Sequence, residues 1–220
     1  MTALPQIDMN ENETLKLANE HIRTMRITTN ARFEAAKRLK KAAFICFIAT
    51  TMASLGLILI PLLDLAKINI RFSAEVLTCF QIFLAVNVLV YSSTVFAANY
   101  QARSKDFLSC ADEIKNVINK LKLDVKSYKK GILTDIDLEK WDSEYRKALE
   151  NSENHEDIDY IIALRSYNDK ESITNNKDIL IRIKEFFKIY AFFIFLIFIE
   201  VVFIIDMLGI TNMFAFIPLK

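Results

Sequence analysis

The sequence predicts an all-α membrane protein, with three transmembrane helices and a cytoplasmic helical domain between the second and the third. Two observations predict it. Three stretches are long and almost free of charge: residues 42–63 (22 residues), 76–98 (23) and 189–210 (22, interrupted only by Glu200 and Asp206). About 20 apolar residues in a helix span the hydrocarbon core of a bilayer. The chain also has only three glycines and three prolines and little period-two alternation, which favours helices over strands. The net charge of +1 and the mean hydropathy of +0.23 hide this organisation, because the charges crowd into residues 1–41 and 101–188.

Residues 1–41 form a cytoplasmic N-terminal helix. Asn10 can cap it, with Glu13 three residues later as in a capping box. Its apolar face is weak (Leu15, Leu17, Ile22, Met25), so it needs a partner helix. Its basic end, from Arg32 to Lys41, suits anionic lipid headgroups. The first apolar stretch starts only after this 41-residue polar segment and lacks a small-x-small cleavage pattern, which argues against a signal peptide. Residues 42–63 are transmembrane helix 1. Residues 64–75 are a short outer loop in which Lys67 and Arg71 balance Asp64 and Glu75. Residues 76–98 are transmembrane helix 2.

Residues 99–188 are the cytoplasmic domain. Helix 2 is expected to run unbroken to Lys130, with Gly131 ending it. Phe107, Ile114 and Leu121 recur every seven residues, with Val117 between them. That is a heptad stripe and a candidate oligomer seam. A helix over 135–150 carries Trp141, Tyr145 and Leu149 at spacings of four. Another follows Asn154 as cap, with Ile158, Ile161, Ile162 and Leu164 as its apolar face. Residues 170–177 are polar and read as a hinge. Residues 189–210 are transmembrane helix 3, and 211–220 an outer tail. Basic residues flank the starts of spans one and three and the end of span two, and basic flanks stay in the cytoplasm. The N-terminus is thus expected inside and the C-terminus outside.

Several chemistries find no support. Phosphate-cradling loops need clustered glycines, and Gly56, Gly131 and Gly209 are far apart. Cys46, Cys79 and Cys110 are scattered and read as small buried hydrophobes. The only histidines are His21 and His155, so no metal-ligand spacing appears. No nucleophile–base pair is visible, and neither a cofactor nor an enzymatic activity is expected. The lysines between 120 and 130 come with few aromatics. They read as a solvated or membrane-facing helix, with no direct nucleic-acid contact.

The polar residues inside the spans are the candidate site. Glu200 is the twelfth residue of its stretch, Asn87 the twelfth of the second and Ser54 the thirteenth of the first. These could meet at one depth. A carboxylate at mid-bilayer costs roughly 2.5–3.5 kcal/mol on insertion scales, so it faces protein or water. Glu200 therefore reads as a pore-lining or ion-binding group, or as a protonated interhelical hydrogen-bonding group. Thr50 and Ser54 share one face of helix 1 with Cys46, beside the small residues Ala49, Ala53 and Gly56. Thr94 shares a face of helix 2 with Asn87 and Tyr91. Packing or pore lining suits either set. Asp206, nearer the outer face, is expected to reach water by snorkelling.

Three places carry a family resemblance. RFEAAKRLKK (32–41) leads into the first span. The second span runs through Tyr-Ser-Ser (91–93) into NYQARSKDFLSCADEIKNVINKLK (99–122). The third is YRKALENSENHEDIDY (145–160), of which Asn154, His155, Glu156, Asp157, Asp159 and Tyr160 form the most specific part. On these the chain resembles the SLATT family of small bacterial membrane proteins, in the subgroup with an additional C-terminal transmembrane helix. The resemblance implies a multi-pass protein of the bacterial inner membrane, an effector of anti-phage conflict systems. Such an effector would contact membrane lipid, form a homo-oligomer and permeabilise or depolarise the membrane on a signal. The implied sensor partner is a nucleotide second-messenger system, a SLOG-type protein or a reverse transcriptase. The family has no assigned enzyme activity. A membrane-anchored adaptor recruiting a soluble partner is the alternative reading.

Overall fold

The structure, a computed structural model, describes residues 11–68, 70–150, 152–168 and 176–214. The described chain is helical: α1 (Glu11–Leu65), α2 (Ala74–Ala98), α3 (Tyr100–Lys129), α4 (Leu138–Glu150), α5 (Asp157–Asn168) and α6 (Asn176–Met207). The chain packs as two compact units. Unit 1 comprises residues 1–38 and 102–173, and unit 2 comprises residues 39–101 and 174–220.

The expected N-terminal helix and first span are one helix, α1, of 55 residues. From Glu11 on, no glycine precedes Gly56 and no proline precedes Pro61, so nothing in the helix's own sequence breaks it earlier. It ends where Lys67 adopts φ 53°. There the Ile68 N–H donates to the Leu63 carbonyl at 3.2 Å and the Lys67 N–H to the Asp64 carbonyl at 3.0 Å, as in a Schellman cap. The expectation of an unbroken helix from span two to Lys130 is corrected. Asn99, at φ 45° and ψ 39°, caps α2 in the left-handed region, and α3 restarts at Tyr100. Asparagine tolerates that region better than most side chains. Gly131 follows α3 at φ 70°, with the Ile132 N–H donating to the Ser127 carbonyl at 3.0 Å.

In unit 1, Ala18, Ile22 and Met25 of α1 share a core with Ile114, Val117, Leu121 and Val125 of α3 and with Trp141 and Ala148 of α4. Polar atoms at its edge are paired. The Trp141 Nε1–H donates to Asp124 at 3.0 Å, and the Tyr145 hydroxyl meets that of Thr28 at 3.0 Å. The Cys110 thiol reaches the Ala148 carbonyl at 3.0 Å.

The heptad stripe offered as an oligomer seam packs within the chain. Phe107, Ile114, Val117 and Leu121 are all buried within the chain itself. The weak face of α1 needed a partner helix, and α3 supplies it. Two helix starts also move. α4 begins at Leu138 because Asp137 accepts the Lys140 N–H at 2.9 Å and so caps it. α5 begins at Asp157, so Asn154 is not its cap. Instead Asp159 reaches back to the Glu156 N–H at 3.1 Å. The buried face of α5 is Asp159 and Ala163, while Ile161 of the expected apolar face is exposed. Asn10 and most of the expected hinge at 170–177 lie outside the described residues.

In unit 2, the second half of α1 packs with α2 and α6. Ala49 and Ala53 of α1, Phe80 and Leu84 of α2, and Leu196 and Phe203 of α6 share one core. Small residues on α1 let the backbones approach. Phe80 and Phe203 stack with centroids 3.6 Å apart. Among the described residues, two helices are long and apolar enough to cross a membrane: α1, and α2 with its continuation α3. Most of the apolar stretch of each is not buried within the chain. Phe44, Phe47, Leu55 and Ile58 of α1 and Ile82, Val86, Leu89 and Phe96 of α2 face outward. A core helix of a water-soluble protein would bury such a face; hydrocarbon is the solvent that suits it. Cys79 is exposed, correcting its reading as a buried residue. It lies on the same outward face as Ile82 and Val86.

Candidate functional site

Among the described residues of unit 2, one buried carboxylate has no hydrogen-bond or ion-pair partner. Glu200, on α6, is 2% exposed. Among the described residues its Oε1 accepts no hydrogen bond. It is seated against Gly56 of α1: a Cβ added there would lie 2.8 Å from Glu200 Oε1 and 3.1 Å from Leu84 Cδ1. Glycine thus makes room for the carboxyl between α1, α2 and α6. A carboxyl in an apolar cleft, with an oxygen left over, can hold a proton or meet a desolvated cation. Ionised and alone it would be costly.

The other predicted polar residues are placed differently. Asn87 is buried on α2, one turn before the buried Tyr91. The Thr50, Ser54 and Thr94 hydroxyls each donate to the carbonyl four residues earlier, Cys46 at 2.9 Å, Thr50 at 2.8 Å and Val90 at 2.8 Å. Their donors are thereby satisfied inside their own helices. No hydrogen bond joins any of the four to Glu200 among the described residues.

Asp206 does not snorkel. It is fully buried and paired with Arg71 of the α1–α2 loop at 3.1 Å. The Phe214 N–H donates to it at 2.8 Å and the Thr211 hydroxyl at 3.3 Å. Arg71 also donates to the Thr211 carbonyl at 2.8 Å and to the Asn212 side chain. Sequence reading balanced Arg71 against its loop neighbours, because a partner 135 residues away has no local signal. Gly56 did carry a signal, as one of only three glycines and the only one within the two glycine-poor spans 42–63 and 76–98.

In unit 1 the 154–160 segment is held by the basic end of α1. Arg38 donates to both oxygens of the buried Asp159, Nε to Oδ1 at 3.1 Å and the terminal nitrogen to Oδ2 at 2.9 Å. It also pairs with the exposed Glu156 at 2.8 Å. Burial alone would lower the Arg38 pKa; the hydrogen bonds and charge of Asp159, with Glu156, more than offset it and raise it. Arg32 donates to the Ser152 hydroxyl at 2.5 Å and the Glu153 carbonyl at 2.9 Å, and Arg103 to Glu153 at 2.6 Å. The His155 ring stacks on Tyr160 with centroids 6.0 Å apart. Asn154 and Asp157 are exposed. These contacts tie α5 to α1, and the described residues gather no cluster of three or more His, Cys, Asp or Glu suited to a metal ion.

Residues 15–205 match the model of the SMODS and SLOG-associating 2TM effector domain family 5. The chain belongs to this SLATT family. The match covers α1 through nearly all of α6, so both units described above are parts of the SLATT domain. Two transmembrane helices in the family description agree with the two candidate spans in α1 and α2. The family is one of membrane effectors in conflict systems. No curated protein and no solved structure matches the chain.

Proposed function

We propose that this SLATT protein is a triggered effector of the bacterial inner membrane, whose membrane unit permeabilises or depolarises the bilayer as an assembly of several copies. The observation that carries the reading is Glu200: a buried, unpartnered carboxylate seated in a glycine notch between helices whose outer faces are apolar. Intramembrane ionisable groups of this kind mark ion and proton paths. α6 acts as a third span in this reading. Its apolar stretch at 189–210 and its packing on α1 and α2 support that role, as does the Arg71–Asp206 pair at its end. The basic flanks support a cytoplasmic N-terminus and a cytoplasmic unit 1. With the α3 stripe occupied inside the chain, copies would meet through the apolar faces of α1 and α2. The trigger would come from a sensor partner, a nucleotide second-messenger system or a reverse transcriptase.

Liposome leakage and whole-cell depolarisation test this. The wild type should leak, alone or with its trigger. Glu200→Gln keeps the shape and removes the charge, so conductance should change strongly at unchanged expression. Unaltered depolarisation in Glu200→Gln would remove the ion-path role and leave Glu200 a packing group. The adaptor reading draws on exposed apolar residues of unit 1, such as Leu123, Tyr160 and Ile161. It requires no leakage under any trigger.

A further inference from the structure

Unit 1 contains a cleft of about 480 Å³ between α1, α3 and α5. Arg26, Lys115 and Lys122 line it, and no acidic residue does. Helical spacing gathers the polar groups: Asn30 follows Arg26 by four, and Asn119 lies between Lys115 and Lys122 on one face of α3. None of the three cations joins an ion pair among the described residues, although unit 1 pairs Arg38 and Arg103. Burial, and then the charge of Arg26, lowers the Lys122 pKa. Like charges brought together in a cleft without a counter-charge favour an anion. Two aromatic residues, Phe33 and Tyr167, also line the cleft, and the Arg23 guanidinium lies over the Tyr167 ring, 5.8 Å from its centroid. Inorganic phosphate would leave these rings unused, whereas a planar heterocycle could stack on them. The volume falls within the range of small-molecule sites.

We propose that this cleft binds a free nucleotide, its phosphates on Arg26, Lys115 and Lys122 and its base against Phe33 and Tyr167. The phosphate chemistry alone would also suit a lipid headgroup, and the rings favour the nucleotide. The site is read independently of how unit 2 acts on the membrane.

The test uses the full chain purified in neutral detergent, titrated calorimetrically with ATP, GTP and pyrophosphate, and with phosphatidylglycerol in mixed micelles. At least one nucleotide should bind, at least about tenfold tighter than pyrophosphate, the margin of a modest stacking contribution. Lys115→Gln/Lys122→Gln should weaken nucleotide and pyrophosphate at least about tenfold, as loss of charge-assisted hydrogen bonds predicts. Tyr167→Leu should weaken the nucleotide and leave pyrophosphate unchanged. Fluorescence of the buried Trp141 confirms that each variant is folded, and Lys115→Gln alone replaces the double variant if that one unfolds. The proposal is overturned if neither nucleotide binds at about 1 mM, an ordinary upper level for such ligands. It is equally overturned if nucleotide binding is indifferent to the lysine variants or no tighter than pyrophosphate, or if only phosphatidylglycerol binds.

Discussion

Arg38 and Asp159 make the sharpest stability prediction. Asp159 is 1% exposed and accepts two hydrogen bonds from Arg38 and one from the Glu156 N–H. Arg38→Met removes the charged partner and leaves a buried carboxylate with a single neutral donor. Breaking a buried pair this way costs about 3–5 kcal/mol. The Arg38–Glu156 contact adds little, because Glu156 is exposed. Asp159→Asn keeps the volume and the Glu156 contact but loses the charge, at about 2 kcal/mol. Arg38→Met/Asp159→Leu removes both charges and should lie within about 1 kcal/mol of the wild type. The assay is urea unfolding in detergent followed by Trp141, the chain's single tryptophan, which is buried in the unit 1 core. With a slope of about 2 kcal/mol per molar, Arg38→Met should lower the midpoint by roughly 2 M. The reasoning fails if Arg38→Met shifts the midpoint by less than about 0.5 M, or if the double variant is worse than either single one.

Arg71→Ala should destabilise unit 2 by about 3 kcal/mol, because Asp206 loses its counter-charge; thermal denaturation in detergent reads it, and a silent variant refutes the pairing. Asn99→Gly should be nearly neutral and Asn99→Ala should cost about 1 kcal/mol, since only the left-handed backbone distinguishes them. Burial raises the Cys110 pKa, so its thiolate forms only above the pH range of a free thiol. Iodoacetamide near neutral pH should therefore spare Cys110 in the folded protein and alkylate it after unfolding, as mass spectrometry of the peptide would show. Alkaline phosphatase fused after Lys130 should be inactive and after Lys220 active; activity at Lys130 would reverse the topology, and inactivity at Lys220 would remove the third span.

The elements whose causes are local were legible in the amino-acid sequence. Helix content, the apolar stretches and the end of α3 at Gly131 follow from composition, periodicity and one glycine, all read within a few residues. The heptad stripe was also legible as a contact face. Which surface meets which was settled by packing. The stripe packs inside the chain because α1 offers Ile22 and Met25 to it, and no spacing rule distinguishes that from a second copy. The helix starts at Leu138 and Asp157 depended on which of several adjacent Asp, Glu and Asn side chains folds back on the backbone, a choice among near-equal local energies. Gly56 under Glu200, Arg71 on Asp206 and Arg38 on Asp159 join residues more than 100 apart in the chain. A charge or a gap reads the same in sequence whether its partner is water, lipid or another helix; only the packed structure brings the partner to it.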